Sequence, residues 1–488
     1  MSDRLYKWVK QFNEADEEVY ANDIPNSGAY EWLLNEIPLF ECPDKRVEQT
    51  YYFRWWTYRK HIKSIPCGYV ITEFLPKVPW SGRYNTINAA VSHHLREGRW
   101  LKNAPKYLTD YIKFFLDDKE GGHKYSVDFL YAVREFCSVC GDLNYSDSFF
   151  KSVCDYYEQW EREHGVPNGM FWSYDDRDAM EYSISGTRDG RCVKGIRPTL
   201  NSYMYADAAA IAYFAKKAGR TELGEKYDKK AENLKKLIND TLADRNFYKA
   251  IHPADEDFSR ISEVDMSDIP RELIGYIPWC YGIPKPENGD CFDYLDDKNV
   301  FCGETGLTTA EQCDKRFMFD APHECLWNGY VWPFATSQTL NALRYYIVNY
   351  NADERYKALY AKLFLQYAYM HTITENDVTK PWIDEVMHPY RNEWTSRTYL
   401  KGAGWLENLG GYERGKDYNH STFCDLLITG IVGVIPGGDE LKAVPSVPDG
   451  WEWFKLEGLN YRGDVYTVIY DKTGEKYGQG KGTVIQKH

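Results

Sequence analysis

Along most of the chain, apolar residues recur at spacings of three and four, a period that predicts amphipathic helices. Three such segments, EGRWLKNAPKYLTDYIKFFLDD, VDFLYAVREFCSVCGDL and DSFFKSVCDYYEQWEREHG, follow one another between residues 97 and 165 with short breaks. Residues 199–244 read as a helix, a Gly-containing turn and a second helix. FATSQTLNALRYYIVNY and ERYKALYAKLFLQYAYMHTI repeat that hairpin plan, and FCDLLITGIVGVI is expected to form a last apolar helix. A long polar segment, 250–325, interrupts the series; a stretch of that length between helices is usually functional or holds short hidden elements.

After about residue 436 the period changes. Short alternating runs with Asp-Gly and Thr-Gly turns predict a small antiparallel sheet. The expected architecture is mainly α: paired helices arranged as an (α/α)6 barrel over residues 1–435, with a β-rich appendage over 436–488. There is no βαβ series to support a Rossmann fold or a TIM barrel.

Charge and composition narrow the partners. A net charge of −14 and the lack of a basic run argue against nucleic acid. No window is apolar over eighteen residues, so no membrane span is expected. The N-terminal residues lack a signal-peptide plan and the twelve cysteines are scattered, which points to the cytoplasm with most thiols reduced and buried. Cys137 and Cys140 lack a second pair and read as packing. Forty-one tyrosines and sixteen tryptophans suit either a ring-rich core or a surface that stacks on sugars. YYFRWWTYRKHIK (51–63) reads as a helix whose face of Tyr52, Trp55, Trp56 and Arg59 packs inward without a ligand.

Candidate chemistry gathers in three segments that precede apolar helices. WSYDDRDAMEYSISG (172–186) carries Asp175, Asp176, Asp178 and Glu181. LWNGYVWPFATSQTL (326–340) carries Trp327, Asn328 and Trp332. KPWIDEVMHPYRNEW (380–394), followed by DYNHSTFCDLLITG, carries Glu385, Tyr418 and His420. Two acidic loops remote in sequence suit glycoside hydrolysis, in which a protonated carboxyl serves the leaving oxygen and an ionised one activates water. Glu181 and Glu385 have apolar neighbours able to raise a carboxyl pKa. Asp176, Asp178 and Asp189 are rivals for the acid, and Asp384 and Glu393 for the base. Trp327 and Trp332 divide between core and subsite floor. Pro333 suits the first turn of the following helix. His93 and Glu97 stand four apart on a helix, but no third metal ligand has sensible spacing.

These motifs resemble those of trehalases, processing α-glucosidase I and mannosylglycerate hydrolases. AMEYSISG is similar to their GWDxS block, with Glu181 at the acid's position, and LNSYMY to the helix that follows. WNGYVWP is close to WRGPxWP, and EVMHP resembles the segment that carries the general base, here Glu385. The resemblance implies an inverting glycosidase on an (α/α)6 barrel with no metal required for catalysis, and no other cofactor is expected. Removal of a terminal sugar from a short oligosaccharide or small glycoside is expected because long loops, notably 250–325, could wall off a pocket. Trp80, Tyr84, Trp172, Asp176, Asn201, Tyr203, Trp327, Asn328, Trp332, Tyr418 and His420 are then expected to bind a small carbohydrate. Two departures stand out. The family acid is usually Asp, and VPWSGRYNTI lacks the sugar-holding acid of the corresponding WDS-like element. The competing readings are a helical-barrel epimerase or lyase, and a non-catalytic carbohydrate-binding scaffold.

Overall fold

In the computed structural model, which describes residues 1–117, 121–253, 258, 261 and 264–488, helices dominate. Those over 129–164, 198–241 and 333–370 fall where the period places them, while the segment expected to be helical from Glu97 is broken between Gly98 and Ala104. The helices are α1 (Ser2–Glu14), α2 (Ala29–Glu36), α3 (Lys45–His61), α4 (Val91–Gly98), α5 (Ala104–Asp117), α6 (Phe129–Cys140) and α7 (Asp147–His164). The series continues with α8 (Pro198–Lys217), α9 (Thr221–Thr241), α10 (Pro333–Asn349), α11 (Arg355–Met370) and α12 (Thr395–Gly402). Local chemistry sets their starts. Asp44 caps α3 by accepting from the amides of Arg46 and Val47, and Ser146 caps α7 at Phe149. Pro198 and Pro333 open α8 and α10, where the missing N–H costs nothing.

The packing order can be traced through the most deeply buried helical segments. α4 packs on α6, α6 on α8, and α8 on a tight helical run, Leu273–Tyr281, whose nine residues are all buried. That run packs on α10, α10 on the turn Cys424–Leu426, and this turn on α4, which returns to the start. Amphipathic α5, α7, α9 and α11 lie against these, and α11 also packs on α3. So part of the long polar segment is core, because it contributes an apolar helical stretch with the hydrophobic sequence LIGYIPWCY.

α3 is buried almost throughout, its charged residues included. Arg54 donates to Ser421, and Lys60 bridges Asp16 and Asp417 at 2.8 and 2.7 Å. Lys60 is thus ion-paired, as desolvation requires, while Arg54 and Arg59 are held by neutral acceptors. The expectation that Tyr52, Trp55, Trp56 and Arg59 pack inward agrees with their burial.

One expectation needs correction. FCDLLITGIVGVI forms only one α-helical turn, Cys424–Leu426, followed by a π-helical turn, Leu427–Ile431. A fully apolar run carries no period, and here its start is held by Glu97, whose carboxylate accepts from the amides of Phe423, Cys424 and Asp425. Glu97 is therefore a helix cap on a partner element, not a metal ligand. The C-terminal residues form the expected small antiparallel sheet. Its antiparallel strands Trp453–Tyr461, Asp464–Asp471 and Gly482–Lys487 are joined at the edge by Leu39–Glu41, with Leu39 opposite Glu457. Among the described residues no helix is long and apolar enough to cross a membrane.

Candidate active site

The turn Asp175–Tyr182 presents Glu181 by internal satisfaction of its other acids. Asp175 is fully buried and accepts from the amides of Asp176 and Ser183 and from the Ser183 hydroxyl. Asp178, also buried, accepts from Arg197 at 2.6 Å and from Ser126 and Thr199. Ala179 and Tyr182 adopt left-handed φ of 55° and 59°, a cost of about 1–3 kcal/mol each that the surrounding contacts hold in place. Between them Met180 turns into the core and Glu181 into a cavity.

Glu385 reaches the same cavity from the loop after strand Val378–Pro381. Its amide donates to Asp384 at 2.9 Å, and Asp384 also accepts from Ser396. Met387 and Val331 exchange backbone hydrogen bonds of 2.9 Å, and the Trp327 amide donates to the Glu181 carbonyl at 3.1 Å. These bonds tie the loops of residues 172–186, 326–332 and 380–394 together.

The cavity encloses about 310 Å³. Trp80, Trp332, Tyr418 and His420 line it with the two glutamates. Trp332 stacks on Trp327 at 4.4 Å between ring centres, so Trp332 is the wall and Trp327 the buried ring behind it. A larger surface groove of about 850 Å³ lies along α11, away from both glutamates.

Several expected ligand contacts do not reach the cavity. Tyr84 is exposed and packs beside Phe114, and Trp172 packs on His164. Asp176 sits on the outer, exposed side of its turn. Asn201 is consumed by the backbone of Phe171 and Arg197, and Tyr203 accepts from Gln338 at 2.8 Å. Asn328 is buried behind the wall and donates to the Phe319 carbonyl. These residues support the loops rather than line the space. Among the rival carboxylates, Asp178 and Asp384 are locked in the networks above. Asp189 is exposed, and Glu393 pairs with Arg391 at the surface.

The sequence reading missed Glu73, Tyr125, Glu324, Cys325 and Arg414, all of which line the cavity. Arg414 is the centre of its charge. Its guanidinium donates to Glu385 and, at 2.6 Å, to Glu324, and all three side chains are buried. Cys325 Sγ lies 3.3 Å from Glu385 Oε2. His323, Glu324 and Cys325 bring potential metal-binding atoms within 4.8 Å of one another. However, the Arg414 guanidinium already lies on Glu324 and Cys325, and a fixed cation there opposes a second one.

Burial raises both cavity glutamates, but their surroundings differ. Glu181 is pushed up to about 8 by desolvation, with the charges of Asp175, Glu385 and Asp176 adding to it. Among the described residues no Lys or Arg pairs with it. Its small accessible surface opens into the cavity, and protein encloses the rest. Glu385 is pushed up to about 7 by burial and by Asp384, against the opposing pull of Arg414. One carboxyl is thus disposed to hold a proton and the other, cation-paired, to lose it.

A structure described as a sialidase is 33% identical with a TM-score of 0.88, and covers all of this chain but only 43% of its own. The chain therefore spans less than half the length of that relative. An α-L-rhamnosidase from Dictyoglumus thermophilum (13% identity, TM-score 0.53) covers 90% of this chain and 43% of its own. A bacterial glucoamylase complexed with acarbose (12%, 0.51) covers 83% and 57%. At those identities the last two speak for the fold alone. Residues 83–421, which include both cavity glutamates, match the mannosylglycerate hydrolase MGH1-like glycoside hydrolase domain, and the chain belongs to that family.

Proposed function

We propose that this chain is an inverting, exo-acting glycoside hydrolase in which Glu181 is the general acid and Glu385 the general base. The observation that carries the reading is the asymmetric pair. Two glutamates 204 positions apart in sequence line one cavity, both raised by burial, and only Glu385 is held by a guanidinium. Glu181 gives its proton to the glycosidic oxygen as the C1–O bond breaks. Glu385 takes a proton from the water that attacks C1 from the opposite face, and the anomeric configuration inverts. Aromatic Trp332 and Trp80 supply ring faces for the sugar.

The cycle of inner helices, from α4 through α10 and back, supports an (α/α)6 barrel with the catalytic loops at one mouth. The small, walled cavity favours a terminal sugar of a short oligosaccharide or small glycoside over the interior of a polymer. Twelve unpaired cysteines fit a cytoplasmic setting.

The test is to replace Glu181 and Glu385 separately by Gln and to follow the first-formed anomer by proton NMR during hydrolysis of an active glycoside. Hydrolysis should collapse in each variant while sugar binding survives, and the wild-type product should first appear in the inverted anomer. A retained anomer, or full activity in either variant, rejects the reading.

A further inference from the structure

Four buried polar atoms of the cavity residues lack a partner among the described residues: Glu73 Oε2, His420 Nε2, Glu385 Oε1 and Arg414 Nε. Leaving such atoms unsatisfied costs about 1–3 kcal/mol each, more for a charged group, so a ligand is expected to satisfy them. Glu385 Oε1 has its use in the reaction proposed above. Glu73 and His420 do not.

These two residues act as a unit. His420 Nδ1 lies 3.2 Å from Glu73 Oε1 and 3.1 Å from the Tyr418 hydroxyl. The imidazole is held flat against Phe334, with ring centres 3.9 Å apart, and edge-on to His93. In the Nδ1–H tautomer, which donates to Glu73, Nε2 is an acceptor. Glu73 Oε2 is an acceptor as well. The hydrogen-bonded pair thus offers two acceptors, which call for two donors.

We infer that Glu73 and His420 form a clamp for two neighbouring hydroxyls of the terminal sugar, and that the cavity selects uncharged sugars and rejects acidic ones. This rests on the reading of the cavity as a glycosidase site. Rejection follows from the charge around it. Glu73, Glu181, Glu324 and Glu385 all line the space, and the terminal nitrogens of its guanidinium are already engaged by Glu324, Glu385 and the Leu409 carbonyl. Apart from the single Nε–H of Arg414, a sugar carboxylate would meet acceptors where it needs donors. The similarity to a structure described as a sialidase therefore does not extend to an acidic sugar here.

The experiment compares kcat and KM of the wild type and Glu73→Gln on 4-nitrophenyl glycosides of neutral hexoses and 6-deoxyhexoses, a glucuronide and a sialoside. The wild type should prefer a neutral glycoside by at least about 100-fold. Glu73→Gln should lose about 10- to 100-fold in kcat/KM on it, the factor for a hydrogen bond to a charged group. The ratio of glucuronide to neutral turnover should rise, which loss of a merely structural contact would not produce. Equal or better cleavage of the glucuronide or sialoside by the wild type overturns the inference, as does an unchanged rate and selectivity in Glu73→Gln. If Glu73→Gln does not fold, His420→Gln carries the same comparison. If the wild type cleaves no glycoside, the glycosidase reading fails on its own. Calorimetric titration of the wild type and variant with free neutral monosaccharides and glucuronate then decides the clamp. Neutral binding lost in Glu73→Gln upholds it, and no binding, or preferred glucuronate binding, overturns it.

Discussion

Arg414 donates to Glu385 with both side chains buried, and no cation does the same for Glu181 among the described residues. This difference assigns the proposed roles more firmly than sequence position does. A guanidinium stabilises the ionised form of the carboxylate it touches, while burial without one stabilises the protonated form. Glu324 on the second arm of the guanidinium fixes its orientation, so the charge is aimed rather than merely near.

Replacing Arg414 by Gln should therefore do two things. The pKa of Glu385 rises further, so the acidic limb of the kcat/KM profile moves to higher pH and the maximum falls. The fold also loses about 3–5 kcal/mol, because Glu324 and Glu385 are left buried and unpaired. Stopped assays across a pH series, with thermal melts of the same samples, check both. An unmoved acidic limb would detach Arg414 from the base.

For the wild type, activity requires Glu385 ionised and Glu181 protonated. The rate should rise as pH passes about 7 and fall as it passes about 8, giving a narrow bell between the two. The two limbs belong to the coupled pair rather than to either residue alone. A broad acidic optimum would mean that the proton is held elsewhere.

Glu181 also links stability to pH. Its carboxyl has an ordinary value of 4.5 and is pushed up to about 8 in the fold, so the native state binds a proton that the unfolded chain gives up. Its favourable contribution is complete below 4.5 and disappears as pH rises through about 8. Glu181→Gln keeps the shape without the titration. Its melting temperature should match the wild type near pH 4.5 and exceed it increasingly towards pH 8, by an energy on the order of a few kcal/mol. A parallel decline in both proteins would show that Glu181 is solvated.

What the sequence disclosed follows from how local each signal is. Helices α5 to α11 repeat their apolar face within a few residues, and Glu181 and Glu385 lie in motifs with short fixed spacing. Arg414 and Glu324 are 90 residues apart, and Glu73 meets His420 across 347, so no local pattern announces them. Asn201 and Tyr203 enter the expected site through the resemblance of LNSYMY to the helix that follows the acid's block. Packing uses them to hold the backbone of Phe171 and to bond Gln338. Strand Leu39–Glu41 is too short to show alternation at all.

That short strand carries a last prediction, about where the folding unit ends. Phe40 packs against Tyr51 of α3 and Phe454 of the C-terminal sheet, and Tyr477 donates to Glu41 at 3.0 Å. Asn460 donates to the Lys102 carbonyl and the Arg462 amide to the Val139 carbonyl, which anchors the sheet to the helices on either side of α5. Phe454, Leu456 and Val468 have no exposed surface. The sheet and the helices should therefore unfold together. Leu456→Ala, which leaves a cavity costing about 2–5 kcal/mol, should lower one shared melting transition seen by both far-ultraviolet circular dichroism and tryptophan fluorescence. A chain ended at residue 435 should lose that cooperative transition, because it strips the cover from Phe40 and α6. Two separate transitions, with the helical one untouched by Leu456→Ala, would instead make residues 436–488 an independent domain.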